Sequence, residues 1–167
     1  MGDPASGLLD MGTNDFTLSA WIKTSSSAQM RIINKRDASS IGYEMYMTSG
    51  QNTLAMLIGD AGGVTFGDST GTENLRDGQW HHVLITFKRS GNATYYVDGK
   101  ITGNPKAIST RTSTISNAQP LYIGRYGASA VGFFDGQIDD VRIYNYALTQ
   151  AQIKDVYNEN SAIRFGI

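Results

Sequence analysis

The sequence predicts an all-β fold, two antiparallel sheets packed as a sandwich and closed by one short C-terminal helix. Three observations carry the prediction. Short runs of alternating apolar and polar residues recur along the chain, turn residues interrupt them about every 8–15 residues, and no helical period appears until residue 150. The 19 glycines set against 3 prolines in 167 residues suit many short strands joined by tight turns.

The clearest strand is 16–23, where Phe16, Leu18, Ala20 and Ile22 fall on one face and Thr17, Ser19 and Trp21 on the other. A polar break at 25–28, a short strand at 31–34 and a polar loop at 35–42 follow. Strands at 43–48 and 54–58 flank a turn at 49–52. The glycine-rich stretch 59–72 reads as a loop with a short strand at 64–66. It lacks the Lys-Ser/Thr pair and helix that a phosphate cradle needs.

Asp77-Gly78 marks a turn before the strongest β signal, 80–88, and a Ser90-Gly91-Asn92 turn leads to 94–97. Asp98-Gly99 is a two-residue hairpin turn, since both residue types tolerate positive φ. Strands at 121–125 and 137–144 complete the β set. The helix is drawn over 150–158: Thr149 caps it, Gln152 completes a capping box, and Ile153, Val156 and Tyr157 form its apolar stripe.

Length and composition limit the function classes. The chain is read as one domain over 1–167, with a core at about 8–158 and a short tail, 159–167, whose Phe165 and Ile167 are expected to pack. Net charge is −1, from 14 basic and 15 acidic residues without a polybasic run, which excludes a nucleic-acid footprint. The absence of cysteine excludes disulfides and thiolate metal sites. No apolar run approaches the roughly 20 residues of a membrane span. Residues 1–7 lack the basic and apolar regions of a signal peptide.

Four ordered segments resemble the laminin G-like family of concanavalin A-like domains, to which the pentraxins are related. They are 15–23, 77–83 (Asp-Gly-Gln-Trp-His-His-Val), 96–100 (Tyr-Val-Asp-Gly-Lys), and 121–125 leading into Gly136-Gln137-Ile138-Asp139-Asp140-Val141. The resemblance spans nearly the whole chain and implies a two-sheet antiparallel jelly roll. In this family a longer stretch usually precedes the first strand, whereas here 8–12 must serve. Either the domain is trimmed, or an upstream segment, a neighbouring domain or a second copy completes that edge.

Candidate site residues follow. Ile138, Val141 and Ile143 cannot share one face of a regular strand, so a β-bulge is expected at Asp139-Asp140. Either acid could join backbone carbonyls around one structural Ca²⁺, which takes six to eight oxygens. Alternatively the two acids fix the bulge or pair with Arg142. The resemblance places Asp37 where pentraxin-like relatives carry a rim calcium ligand. The facing loop, 125–132, holds no carboxylate before Asp135, so a two-ion rim site is not expected and Asp37 is either a ligand-binding residue or a solvated acid. Arg125 and Tyr126 sit in a glycine-rich loop of the kind that carries recognition on a rigid scaffold, the arginine bonding hydroxyls and the tyrosine presenting a face to sugar.

His81 and His82, adjacent on a strand, point to opposite faces and cannot chelate one ion together; parity puts His81 against the core with Val83, Ile85 and Phe87. Trp21 and Trp80 are read as packing residues in preference to a sugar platform. No strand offers the Glu-x-Asp or Asp-x-Glu pattern of a glycoside hydrolase on this scaffold, so no enzyme activity is expected. The leading expectation is a non-catalytic module binding carbohydrate or glycoprotein through rim loops, outside the cell or on a virion surface. The alternative is a structural, decoration or adhesion domain of a virion or large secreted protein, with no small ligand.

Overall fold

A computed structural model describes residues 7–159 apart from Ala128 and Ala130. In chain order the strands are β1 (Phe16–Lys23), β2 (Met30–Arg36), β3 (Gly42–Met47), β4 (Leu54–Asp60), β5 (Gly63–Asp68), β6 (Trp80–Phe87), β7 (Asn92–Val97), β8 (Lys100–Ala107), β9 (Tyr122–Ile123) and β10 (Gln137–Tyr144), followed by helix α1 (Gln150–Glu159). They form two five-stranded sheets, β10-β1-β6-β7-β8 and β5-β4-β3-β2-β9, antiparallel at every pairing. The chain is therefore a two-sheet antiparallel jelly-roll sandwich, the sandwich predicted by the strand spacing and the jelly roll implied by the family resemblance.

The core lies between the sheets. Phe16, Leu18, Ala20 and Ile22 are fully buried, as their alternation requires, and cluster with Met45, Met47, Met56 and Ile58 of the other sheet. Phe16 ties the layers together: its ring stacks on Phe87 at 4.2 Å and meets Tyr43 across the interface at 5.2 Å. Helix α1 covers part of the outer face of the first sheet, burying Leu84 and Tyr96 beneath Leu148, Ile153 and Val156. The capping box forms as drawn: Thr149 N donates to Gln152 Oε1 at 2.9 Å, and Gln152 N donates to Thr149 Oγ1 at 3.4 Å.

The Asp98-Gly99 hairpin forms with φ of 49° and 74° and Val97 opposite Lys100, a two-residue turn whose handedness suits the strand twist. Asp98 also locks the turn to β6, its carboxylate accepting from the His82 amide at 2.9 Å and bonding His81 Nδ1 at 2.9 Å. A Cβ on Gly99 would stand 3.0 Å from Tyr157 Cδ1. Gly99→Val is therefore expected to cost about 2 kcal/mol, from the left-handed backbone and the displaced Tyr157 ring. Urea denaturation checks this, and a wild-type midpoint would remove the turn from the list of stabilising features.

The structure departs from expectation in three places. Strand β8 is longer than the hairpin turn alone foretells; it is an edge strand carrying Pro105 and two lysines, features that blunt an exposed edge and erase the alternation that would announce a strand. The strand at 121–125 is only Tyr122–Ile123, ended by Gly124 at φ 73°. The polar loop drawn from residue 35 begins later, because Lys35 belongs to β2 and is buried, its Nζ donating to Asn117 O and Gln119 O and lying 3.0 Å from Asp10. Phe165 and Ile167 of the tail lie outside the described residues.

Candidate functional site

The recognition residues named from sequence converge on the outer face of the β5-β4-β3-β2-β9 sheet. On β2 and β3, parity turns Arg31, Arg36, Glu44 and Tyr46 away from the core. The loop after β9 returns over them: Arg31 N donates to Gly132 O at 3.0 Å, Tyr126 N to Val131 O at 3.0 Å, and Gly127 N to Asn34 Oδ1 at 3.0 Å. The result is an interleaved stack of cations and rings. Tyr126 receives Arg36 at 4.5 Å and Arg31 at 5.4 Å, Tyr46 receives Arg31 at 5.5 Å, and Tyr122 receives Arg125 at 4.6 Å.

Glu44, buried behind this stack, pairs with both Arg31 and Arg36. With Arg125 on Tyr122 beside them and Asp68 on the same face next to Tyr46, three guanidinium groups stand with two carboxylates, a small positive excess. Burial, reinforced by the charges of Asp68 and Glu44, pushes the Tyr46 hydroxyl up to about 12, so it stays a neutral donor and acceptor. Of the residues named from sequence, Tyr126 lies against Arg31 and Arg36, and Arg125 lies on Tyr122 beside it. Asp37 follows Arg36 directly, at the margin of the stack, but its Oδ1 accepts the Ile41 amide at 2.9 Å and so closes its own loop. Arg31 and Arg36 are the partners that sequence reading missed: a polar residue in a short strand does not announce which face it takes once β2 shifts register between Arg31 and Ile33.

On the other sheet the bulge forms at the two aspartates. Between Trp21 and Ser19 of β1 the register of β10 runs from Asp139 to Arg142, one residue too many, and Asp140 takes φ 44°. The extra residue restores a common face, with Ile138, Val141 and Ile143 all packed on the core. Asp139 Oδ1 accepts the Asp140 amide at 2.8 Å, and Asp140 Oδ1 accepts from Arg142 Nε at 2.8 Å. Arg142 also bonds Glu159 at the end of α1, and these two carboxylates hold its guanidinium even more firmly protonated. Arg142 is the cation paired with Asp140. Among the described residues no group of three or more His, Cys, Asp or Glu stands ready for a metal. The donors as arranged fit the bulge-fixing role with Arg142 that the sequence left open.

The histidines reverse part of the expectation. His81 is the half-buried one, bridging Asp98 and, at 3.2 Å, Asp77. Burial draws its pKa down, but the hydrogen bonds and charges of Asp98 and Asp77 outweigh that and leave it raised. The fully buried histidine is His82, on the outer face, sealed under α1 between Trp21 and Tyr157 and hydrogen-bonded to Ser19 Oγ at 2.8 Å. Parity is right for both residues; the covering helix is what decides which of them is sealed. Trp80, expected to pack, is 40% exposed, and with the half-buried Trp21 it lines a groove together with Asp139 and Asp140.

The family model for laminin G type 3 domains, described as the concanavalin A-like lectin/glucanases superfamily, matches residues 4–154. Adhesion G-protein coupled receptor V1 of Danio rerio is 25% identical over 150 residues, covering 87% of this chain and 2% of that protein. The Rattus norvegicus sushi, von Willebrand factor type A, EGF and pentraxin domain-containing protein 1 is 27% identical over 94 residues, 52% of this chain and 3% of its own. Among solved structures, the binding domain of Paraclostridial Mosquitocidal Protein 1 superposes with a TM-score of 0.73 at 18% identity, over 95% of this chain and 40% of that one. The botulinum neurotoxin serotype D ligand binding domain in complex with N-acetylneuraminic acid gives 0.67 at 18%, over 88% and 37%. The binding domain of botulinum neurotoxin DC in complex with rat synaptotagmin II gives 0.65 at 16%, over 88% and 36%. At these identities the solved structures speak for the fold, and the chain spans only a small part of each curated relative. With a family model matched over most of its length, and with the strand order to support it, the chain belongs to the concanavalin A-like lectin/glucanase superfamily.

Proposed function

We propose that this chain is a non-catalytic, extracellular recognition module that takes a glycan or glycoprotein on the outer face of its second sheet. The observation that carries the reading is the Arg31–Tyr126–Arg36 stack with Arg125 on Tyr122 beside it. Tyrosine faces suit the apolar side of a pyranose, and guanidinium groups bond carboxylate or sulfate in bidentate fashion. The positive excess favours an acidic glycan, and the neurotoxin domain of the same fold in complex with N-acetylneuraminic acid lends that class support. Glu44, the strand carboxylate of this face, is sealed between two arginines, which disfavours hydrolysis by a carboxylate pair.

A glycan array probed in Ca²⁺ and in EDTA tests the proposal. Binding enriched in sialylated, uronate or sulfated glycans and weakened about tenfold in Tyr126→Ala is the expected result. EDTA-sensitive binding would overturn the metal-free form of this reading and put calcium at the site. A blank in both conditions would overturn the proposal. One observation favours the packing-domain alternative: along edge strand β10, Leu8, Leu9, Met11, Ile143, Tyr144 and Tyr146 line an apolar groove of about 220 Å³, with Leu8 largely exposed. An obligate oligomer by size exclusion with light scattering, together with the blank array, would establish that reading.

A further inference from the structure

We infer that the groove formed by Trp21, Trp80, Asp139 and Asp140 on the first sheet is a second binding site, for a neutral carbohydrate, separate from the cationic face of the second sheet. The register builds it. Trp21 stands opposite Asp139 on β10 and His82 on β6, while Lys23 stands opposite Gln137 and Trp80. All of these project from the outer face; Tyr157 of α1 covers His82 and stacks on Trp21, while Trp80 is left exposed. The resulting groove has a volume of about 580 Å³, within the range of small-ligand sites.

Three features fit a sugar. Trp80 offers an exposed indole face on a rigid strand, and a large exposed aromatic ring beside two carboxylates calls for a partner. Asp139 is exposed and commits Oδ1 to the Asp140 amide, while its Oδ2 makes no hydrogen bond among the described residues and stands ready for a ligand hydroxyl. The walls are also set in advance. Trp21 stacks on Tyr157 at 5.8 Å and leans on His82 at 5.4 Å, and Arg142 holds Asp140.

Charge chooses between ligand classes. The groove has no surplus of cations to draw an acidic sugar, because Asp139 and Asp140 stand with Arg142 and Lys23. Arg142 on Asp140, and Lys23 on the same face, offset the carboxylate charge and remove the drive for a quaternary ammonium, the other ligand that aromatic rings and carboxylates commonly take. An uncharged polyhydroxyl ring, stacked on Trp80 and donating to Asp139, is what remains.

The chain contains only two tryptophans, both in this groove, so intrinsic emission reports on it and is blind to the second sheet. The test titrates wild type with cello-, xylo-, manno- and chito-oligosaccharides and lactose, with N-acetylneuraminic acid and choline as charged probes. The expected result is a saturable shift in tryptophan emission with at least one neutral probe. Calorimetry with that probe should show binding weakened about tenfold or more in Trp80→Ala, clearly weakened in Asp139→Asn, and unchanged in Tyr126→Ala. Trp80 is exposed, so its variant should keep the wild-type melt; Asp139→Asn, which changes no volume, is the second variant in case it does not. Flat emission with every neutral probe overturns the inference. So does a response confined to N-acetylneuraminic acid or choline, or neutral-sugar affinity that survives both groove variants. A blank glycan array alongside a tryptophan response would end the second-sheet reading and leave this one standing.

Discussion

Replacing Arg89 with alanine is expected to destabilise the fold by about 3–5 kcal/mol, the scale for removing a buried charge that several groups are built around. Arg89 follows β6 and is almost entirely buried. Its guanidinium donates to Gly12 O at 2.9 Å, to Arg111 O at 3.1 Å from Nε, and to Ser113 O at 2.7 Å from Nη2. Its own amide donates to Asp15 Oδ1 at 2.6 Å. One side chain thus fastens the N-terminal segment and the 108–115 connection to the β6–β7 turn, and alanine would strand three carbonyls away from water. Burial lowers its pKa, with Asp60 and Asp15 opposing, but the shift leaves the guanidinium charged at any working pH. Arg89→Lys keeps the charge without the fork, so it should recover only part of the loss. Guanidinium denaturation of the three proteins decides the matter; a loss below about 1 kcal/mol for alanine would mean that water replaces the guanidinium at little cost.

Arg89 also shows where sequence reading stops. In the chain it is a charge in a Lys-Arg-Ser-Gly turn, where a solvated residue is the natural expectation. Its burial is created by residues 12, 111 and 113, which approach only when the sandwich closes, and no local pattern reports that. Local signals were legible wherever a local rule decides the outcome. The β1 alternation, the Asp98-Gly99 turn, the Thr149 capping box and the Asp139-Asp140 bulge each follow from residue chemistry within a few positions.

The candidate sites divide along the same line. Arg125 and Tyr126 could be named because a glycine-rich loop on a sandwich is a reasonable place for recognition. Arg31 and Arg36 could not, because they enter the site through a register shift in β2 and a loop that returns from ninety residues further along the chain, a separation seen in the Gly127–Asn34 bond. The sequence disfavours a sugar platform at Trp21 and Trp80 for a different reason. Trp21 and Trp80 look like packing residues in one dimension, and α1 does bury most of that face, but Trp80 lies beyond the helix and its exposure depends on where the helix ends.

Acidification from pH 6.5 to pH 4 is expected to remove roughly 3 kcal/mol of stability through His82 alone. Burial under α1 is the first cause of its low pKa, about 4; Arg142 adds to it, and the carboxylates of Asp98 and Asp140 oppose it without prevailing. The sign follows from proton counts. Below pH 6.5 the unfolded chain binds a proton at His82 that the folded chain refuses until about pH 4, so folding loses ground steadily across that window and nothing above it. His81 works the other way. Its raised pKa means that the folded state takes its proton more readily, so pairing with Asp77 and Asp98 adds stability as pH falls and fades as pH rises through the folded value. The wild-type profile is therefore a difference of two histidines one residue apart, and single variants separate them. His82→Gln should flatten the loss between pH 6.5 and 4, whereas His81→Gln should leave that window nearly unchanged and remove the fall in stability as pH rises above 6.5. Parallel profiles for wild type and His82→Gln, measured as unfolding free energy against pH, would overturn the assignment. The failure should begin at the helix: a protonated imidazole set between Trp21 and Tyr157, with its Nδ1 lacking an acceptor among the described residues, is relieved most cheaply by lifting α1, and α1 meets the sheet there through little more than Tyr157.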